Sequence, residues 1–439
     1  MHPSYETLDR PGGFNRVGLV APLRYRDFRL LWSGMCVSLL GDGAFLVAMA
    51  WEVYALSNVP TALSMVGIAM TVPTIAFLLL GGVVSDRVDR RKVIIASDLA
   101  RGLAVGAMAA LAIAGVLRVW EIAALAVLYG TGTGFFAPAF DAIVPDVLPA
   151  GELGRANSLD QFVRPVALRL AGPALGGLLI QSLGGGWAFA FDSATFLASG
   201  AAVWAIRSRP HATASEASAR SVGADLRDGF AYVRRHVWLW ATFVAAAIAY
   251  LLFMGPTEVL LPFVVKNTLR GSAADFGLVL AAGGVGSVLC ALAMAQRALP
   301  RRSITFIYVV WTLATLAVAG YGLASAIWQL MLASFIFNAF ETAGTIVWAT
   351  LKQRTVPASL LGRVSSLDWL ISIGLLPLSL ALTGPVSAAL GVRTTLVGAG
   401  ILGAVITLLP LYLPGMREVE RGGADEVPAR SRPATSPSS

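Results

Sequence analysis

Apolar residues in this 439-residue chain come in long runs separated by short polar breaks. A membrane-spanning helix needs about 20 mostly apolar residues. Twelve runs qualify, at residues 29–55, 62–84, 93–115, 119–141, 157–183, 186–206, 238–264, 274–296, 304–324, 327–350, 362–388 and 393–414. Turn formers mark the breaks, as in Ser57-Asn58-Val59-Pro60 and Pro149-Ala150-Gly151-Glu152, and at Pro357 and Pro414. The pattern predicts an all-α membrane protein with twelve transmembrane helices.

The run Pro149-Ala-Gly-Glu-Leu153-Gly154-Arg155-Ala-Asn-Ser158-Leu159-Asp160 returns as Pro357-Ala-Ser-Leu-Leu361-Gly362-Arg363-Val-Ser-Ser366-Leu367-Asp368. The offset is 208 residues (357 minus 149) throughout. Both copies lead from the fourth span of a half into the fifth, so the chain reads as two six-helix pseudo-repeats, 29–206 and 238–414. Such repeats place a substrate site between the halves near the bilayer midplane. Residues 1–28 form a polar tail with no signal peptide. Residues 207–237 form a linker, in which Leu226, Phe230, Val233 and Val237 recur at helical spacing among charges. That spacing predicts an amphipathic helix on the membrane face. Residues 415–439, rich in Pro, Ser and Arg, are expected to be disordered.

The densest polar break is Gly82-Val-Val-Ser-Asp86-Arg87-Val-Asp89-Arg90-Arg91-Lys92, between spans two and three. Its charges cannot lie in hydrocarbon. A shorter echo, Arg297-Ala-Leu-Pro300-Arg301-Arg302, joins spans eight and nine. The chain is 56% hydrophobic and 13% charged, against about a quarter charged in soluble domains. Its formal net charge of +8 suggests topology rather than nucleic acid. Of 33 Lys and Arg, the loops on one side hold only Arg118, Lys266, Arg270 and Arg393. Arg101, Arg164 and Arg169 fall inside spans, and the rest lie on the side of the two termini. The positive-inside rule therefore puts both termini and the charged turn in the cytoplasm of a plasma-membrane protein. Cys36 and Cys290 sit in apolar runs and imply neither a disulfide nor a metal site.

Gly82-x-x-x-Asp86-Arg87-x-x-Arg90-Arg91-Lys92 resembles the signature loop of the major facilitator superfamily. The family usually has Gly where Asp89 stands, so this chain carries an extra negative charge there. Gly172-Pro173-Ala-Leu-Gly176-Gly177 in span five resembles the Gly-Pro motif of drug:proton antiporters. The run Gly134-Phe-Phe-Ala-Pro138-Ala and the Leu-Gly-Arg-x-x-Ser-Leu pair resemble the branch of macrolide and enterobactin exporters. The resemblance covers spans one to twelve and implies the major facilitator fold. It also implies that Asp86 and the arginines latch the halves on the cytoplasmic side in the outward-facing state. Acids within reach are Asp98, Asp141, Asp146 and Asp368, and simple charge-directed topology is the alternative reading. Many proton-driven relatives carry an Arg in span four, where this chain reads Leu128-Tyr-Gly-Thr-Gly-Thr-Gly134.

Buried charge is the other source of candidates. Asp42, between glycines in span one, lies near the midplane, where an ionised carboxylate costs roughly 2.5–3.5 kcal/mol or more. It must be protonated or paired, for transport or as a structural ion pair. Glu52 is nearer the outer surface, solvated or cavity-lining. Arg164 and Arg169 lie five apart in span five, and Arg169, just before Gly172-Pro173, calls for an acid or an aqueous cavity, with Asp42 the expected acid. Glu341 in span ten is a proton or cation-substrate site, or a buried hydrogen-bonded Glu. Asp192 and Glu258 read as structural or near the outer mouth. Pro173 removes a helix hydrogen bond, and Gly172, Gly176 and Gly177 permit close helix contact. Phe135, Phe136, Trp51, Phe253, Phe337 and Trp348 line an apolar pocket, or pack and face lipid.

No phosphate loop, metal spacing or triad is visible, and the three His (His2, His211 and His236) lie outside the spans. The expectation is a non-enzymatic, cofactor-free, monomeric exporter of hydrophobic or amphipathic small molecules, proton-coupled and working by alternating access. Its partners are the substrate, the proton and the lipid bilayer, with no nucleic acid and no metal. An uptake or lipid-moving carrier of the same fold, or a membrane sensor, is the alternative.

Overall fold

A computed structural model describes residues 20–207, 222–297 and 299–422. Residues 1–19 and 423–439 of the expected tails, and 208–221 of the linker, lie outside the described residues.

Twelve helical spans follow one another. In the first half these are α1 (Arg26–Leu56), α2 (Pro60–Arg87), α3 (Arg90–Ile113), α4 (Val119–Val147), α5 (Leu153–Leu183) and α6 (Gly185–Trp204). A linker helix, Val222–Arg235, precedes α7 (Val237–Thr268), α8 (Ala273–Ala295), α9 (Ser303–Leu323) and α10 (Ile327–Thr355). Then come α11 (Ala358–Gly374 and Leu376–Leu390) and α12 (Val392–Leu408). Among the described residues, eleven helices are long and apolar enough to cross a membrane. The exception is α6, whose Asp192, Thr195 and Ser199 lower its hydropathy but are turned into the bundle rather than to lipid. We call the face carrying Val20 and Gly422 the terminal face, and its opposite the far face.

The local chemistry explains the breaks. Pro60 opens α2, where its missing N–H is no loss. Ser272 and Asp275 form a reciprocal capping box on α8. Gly184 and Gly391 end α5 and α11 with φ of 96° and 85°, a region that only Gly enters without strain. Pro173 cannot donate to the Arg169 carbonyl four residues earlier, and Val166–Ala171 widens into a π-helix. Gly172 N–H bonds Ala167 O, five residues back. At the matching place in the second half, α11 breaks at Leu375.

The cores show how the halves meet. One apolar core runs through both halves, joining Tyr54, Val66 and Phe189 to Leu260, Phe276 and Leu396. Toward the terminal face it divides. Phe28, Leu31, Ile94 and Phe140 pack in the first half, while Trp238, Tyr308, Trp348 and Met416 pack in the second. The contacts between halves run from the far side to mid-depth. Tyr54 OH donates to Val259 O at 2.6 Å. Gly384 of α11 abuts Thr61 of α2, and Gly177 of α5 abuts Ala273, Ala274 and Gly277 of α8.

The linker helix is not simply laid on a membrane surface. Its Gly229 packs on Arg363 and Leu367 of α11, and Val233 is buried in the second-half core. Phe230 remains 60% exposed.

Candidate functional site

Arg169 and Glu341 meet at mid-depth between the halves. The π-turn sets Arg169 one step out of α-helical register, and its side chain approaches Glu341 Oε2 at 3.9 Å. Their side chains are 51% and 27% exposed, so both face an open cleft. The carbonyl freed by Pro173 faces Gly284 of α8, where a Cβ would stand 2.5 Å from Arg169 O. One short irregular segment therefore supplies a backbone contact and a side-chain ion pair to the other half. The expected partner for Arg169 was Asp42; the partner is Glu341, while Asp42 is held by Tyr129.

Glu341 also lines a cavity among α7, α9, α10 and α12. Its walls are aromatic, with Tyr250, Phe253, Tyr308, Trp311 and Phe337. Phe253 and Phe337 contact edge-to-face at 5.8 Å. Thr345 Oγ1 donates to Glu341 Oε1 at 3.0 Å, which leaves one carboxylate oxygen turned to Arg169. Of the six aromatics considered from sequence, only Phe253 and Phe337 line this cavity. Phe135 packs on Phe77, Trp51 lies under Lys266, and Trp348 donates to Asp368 at 2.9 Å.

The second cluster lies inside the first half. Tyr129 of α4 donates to Asp42 Oδ1 at 2.7 Å. Asp98 and Arg101, one turn apart on α3, form a 2.5 Å ion pair and are 1% and 3% exposed. The Arg101 guanidinium lies between the rings of Phe136 (4.1 Å) and Phe196 (4.3 Å). Its stem rests on Gly132 of α4. Span four has no Arg of its own, and α3 places one against it. Asp192 of α6 is fully buried beside Gly41, not at an outer mouth. Two carboxylates, Asp98 and Asp192, and one guanidinium thus lie around Asp42, itself partly buried.

Other candidates resolve into structural roles. The Glu52 carboxylate accepts Gly185 N–H at the start of α6, where a carboxylate suits both the orphan N–H groups and the helix dipole. Arg164 pairs along its own helix with Asp160 at 3.3 Å. Gly172 and Gly176 abut Gly43 and Ala44 of α1, and Pro173 touches the same turn. Gly177 reaches across to α8, so the Gly-Pro motif serves one contact inside the half and one between halves.

The charged turn is tied within its own half. Arg90 donates to Ala142 O and Asp146 Oδ2, both at 2.8 Å, at the end of α4. Arg91 donates to Val203 O at 3.0 Å and to Trp204 O at the end of α6. Arg87 is exposed, and Lys92 lines a crevice between α3 and α4. Asp146 is the one of the four proposed acids that a turn arginine reaches. Asp98 turns to Arg101, Asp368 to Lys352 and Trp348, and Asp141 lies near Arg164 and Asp160. Among the described residues the expected bridge from these arginines to the other half is not made, since the halves part toward the terminal face. The Asp86 side chain lies outside what the structure describes. Gly82 has open space around it; the glycine in close contact is Gly81, against Gly134 and Phe135. Asp89 caps α3, accepting Arg91 N–H at 3.0 Å, which explains a carboxylate where the family has Gly.

Sequence reasoning missed Tyr129 and the Asp98–Arg101 pair. The pair had a signal, because two opposite charges three apart in an apolar run share a helix face. Tyr129 had none.

Comparison with known proteins adds four findings. The sequence pattern of a family described as "Transmembrane secretion effector" matches residues 17–432. The multidrug efflux pump Tap of Mycolicibacterium fortuitum is 29% identical over 390 residues, spanning 87% of this chain and 94% of that protein. Macrolide efflux protein A of Streptococcus pyogenes is 21% identical over 404 residues, 91% and 98% of the two chains. A bacterial homologue of the iron transporter ferroportin, solved in an inward-facing state, shares the fold at a TM-score of 0.65. Its identity is 16%, over 89% of this chain and 100% of that one.

Proposed function

This chain belongs to the transmembrane secretion effector family of major facilitator transporters, and from that premise we propose that it is a proton-coupled exporter of hydrophobic or amphipathic small molecules. The observation that carries this reading is the Arg169–Glu341 pair at the mouth of an aromatic cavity. Tyr, Trp and Phe faces hold apolar bodies of varied shape, while one carboxylate gives a polar or cationic group a place to dock. Efflux by Tap and by macrolide efflux protein A supports the direction.

Alternating access fits the two kinds of core. The halves share one core on the far side and keep separate cores on the terminal side, so a rocking motion breaks the first and brings the second pair together. The arginine-rich loops support a cytoplasmic terminal face in a plasma-membrane protein, and in this reading the conformation opens inward. In this reading the turn arginines hold α3, α4 and α6 as one rigid unit during rocking.

Asp42 is the proton carrier in this proposal. It borders the buried Arg101–Asp98 pair and Asp192, and a Tyr129 hydrogen bond fixes its orientation. Glu341, freed from Arg169 when substrate arrives, is the substrate carboxylate. The transporter acts as a monomer.

The test is expression in an efflux-deficient host, with uptake of dyes and antibiotics measured with and without a protonophore. The proposal expects lowered accumulation that a protonophore abolishes. Raised accumulation would mean uptake, and loss of the gradient effect would remove proton coupling.

A further inference from the structure

A crevice opens on the terminal face of the second half, away from the central cleft. The end of the linker helix, the α8–α9 loop, the end of α10 and the segment after α12 enclose it. Arg235, Arg301 and Arg354 stand around it, each exposed, from three different elements. Among the described residues none of the three has a hydrogen-bonding or ion-pair partner. Guanidiniums lining one crevice repel one another.

Two carboxylates also line the crevice. Glu420 is engaged, since its oxygens accept Thr305 N–H at 2.7 Å and Thr305 Oγ1 at 3.3 Å, capping α9 from the other end of the half. Glu418 lies against Gly415, three residues back. His236 is held at the edge by Tyr232, whose carbonyl sits 2.8 Å from Nδ1. The crevice is therefore net positive at its rim.

Its deeper wall is apolar. Leu351 and Val347 contribute, and so does Trp238, 2% exposed, whose indole N–H meets no acceptor among the described residues. A basic rim over an apolar wall at the membrane surface matches a molecule with an anionic head and hydrocarbon beside it. A guanidinium fork is suited to phosphate oxygens, and basic pockets at the membrane interface take anionic lipid head groups.

We propose that this crevice binds the phosphate group of an anionic amphiphile, with Arg235, Arg301 and Arg354 on the phosphate and the Trp238–Leu351 wall against its chain. The site is separate from the Arg169–Glu341 cleft and does not depend on what the cleft transports.

The test is native mass spectrometry of the full chain with three probes: dioctanoyl phosphatidylglycerol, dioctanoyl phosphatidylcholine and inorganic phosphate. The proposal expects phosphatidylglycerol to bind more tightly than phosphatidylcholine. Each of Arg301→Gln and Arg354→Gln should weaken it about fivefold, and the double variant about twenty-five-fold. Arg29→Gln, an exposed arginine outside the crevice, should leave it unchanged. Equal binding of the two lipids, or unchanged phosphatidylglycerol binding in the double variant, would overturn the proposal. Displacement of the lipid by inorganic phosphate at equal concentration would also overturn it, by assigning the site to the free anion.

Discussion

Arg169 and Glu341 face each other at 3.9 Å across the two halves, and both reach water. A pair this open contributes little to stability, about 0–1 kcal/mol, so its importance lies in what replaces it. Glu341→Gln and Arg169→Gln should each cut substrate transport in proteoliposomes about tenfold or more while leaving melting temperature nearly unchanged. If the groups act together, Arg169→Gln/Glu341→Gln should be no worse than the poorer single variant. Additive losses would show that they act separately.

Asp42 and Tyr129 form a second tie, at 2.7 Å. Asp42→Asn cannot release a proton. It should abolish transport driven by a pH gradient while substrate exchange at equal pH continues. Tyr129→Phe keeps the carboxylate and should lower the driven rate several-fold. Driven transport that persists in Asp42→Asn would move the proton to another residue.

The Asp98–Arg101 pair predicts stability rather than chemistry. Removing one partner leaves an uncompensated buried charge, at a cost of about 3–5 kcal/mol. Arg101→Gln and Asp98→Asn should each lower the melting temperature of the purified protein strongly. The double variant should recover part of the loss, and two fully additive losses would show that the charges do not depend on each other.

Gly177 tests the contact between halves. A Cβ there would stand 2.7 Å from Ala273 O, tighter than real side chains allow. Gly177→Ala should wedge α5 from α8 and raise labelling of a cysteine placed at Thr61 from the far face. Unchanged labelling would mean that the far side closes through other contacts.

Asp89 caps α3 and does little else in the structure. Asp89→Ala should cost about 1 kcal/mol and leave transport near normal. Arg90→Gln, which unties α3 from Asp146, should reduce transport more.

The sequence by itself determined the twelve spans, the repeat and the side on which the charges gather. Each depends on local composition and length, because a bilayer forces every buried backbone group to bond within its own helix. It also marked Asp42, Arg169 and Glu341, since a charge in an apolar run is costly wherever the run packs. Which charge meets which was decided only in three dimensions. Arg169 turned from Asp42 to Glu341 because Pro173 widens one turn of α5. Glu52 became a cap for α6 because Gly185 lies beside it. Arg101 came to stand against span four from its neighbour, and Tyr129 met Asp42 across helices. Such pairings depend on helix rotation and on which glycines let helices touch, and neither is written in the run of residues along one span.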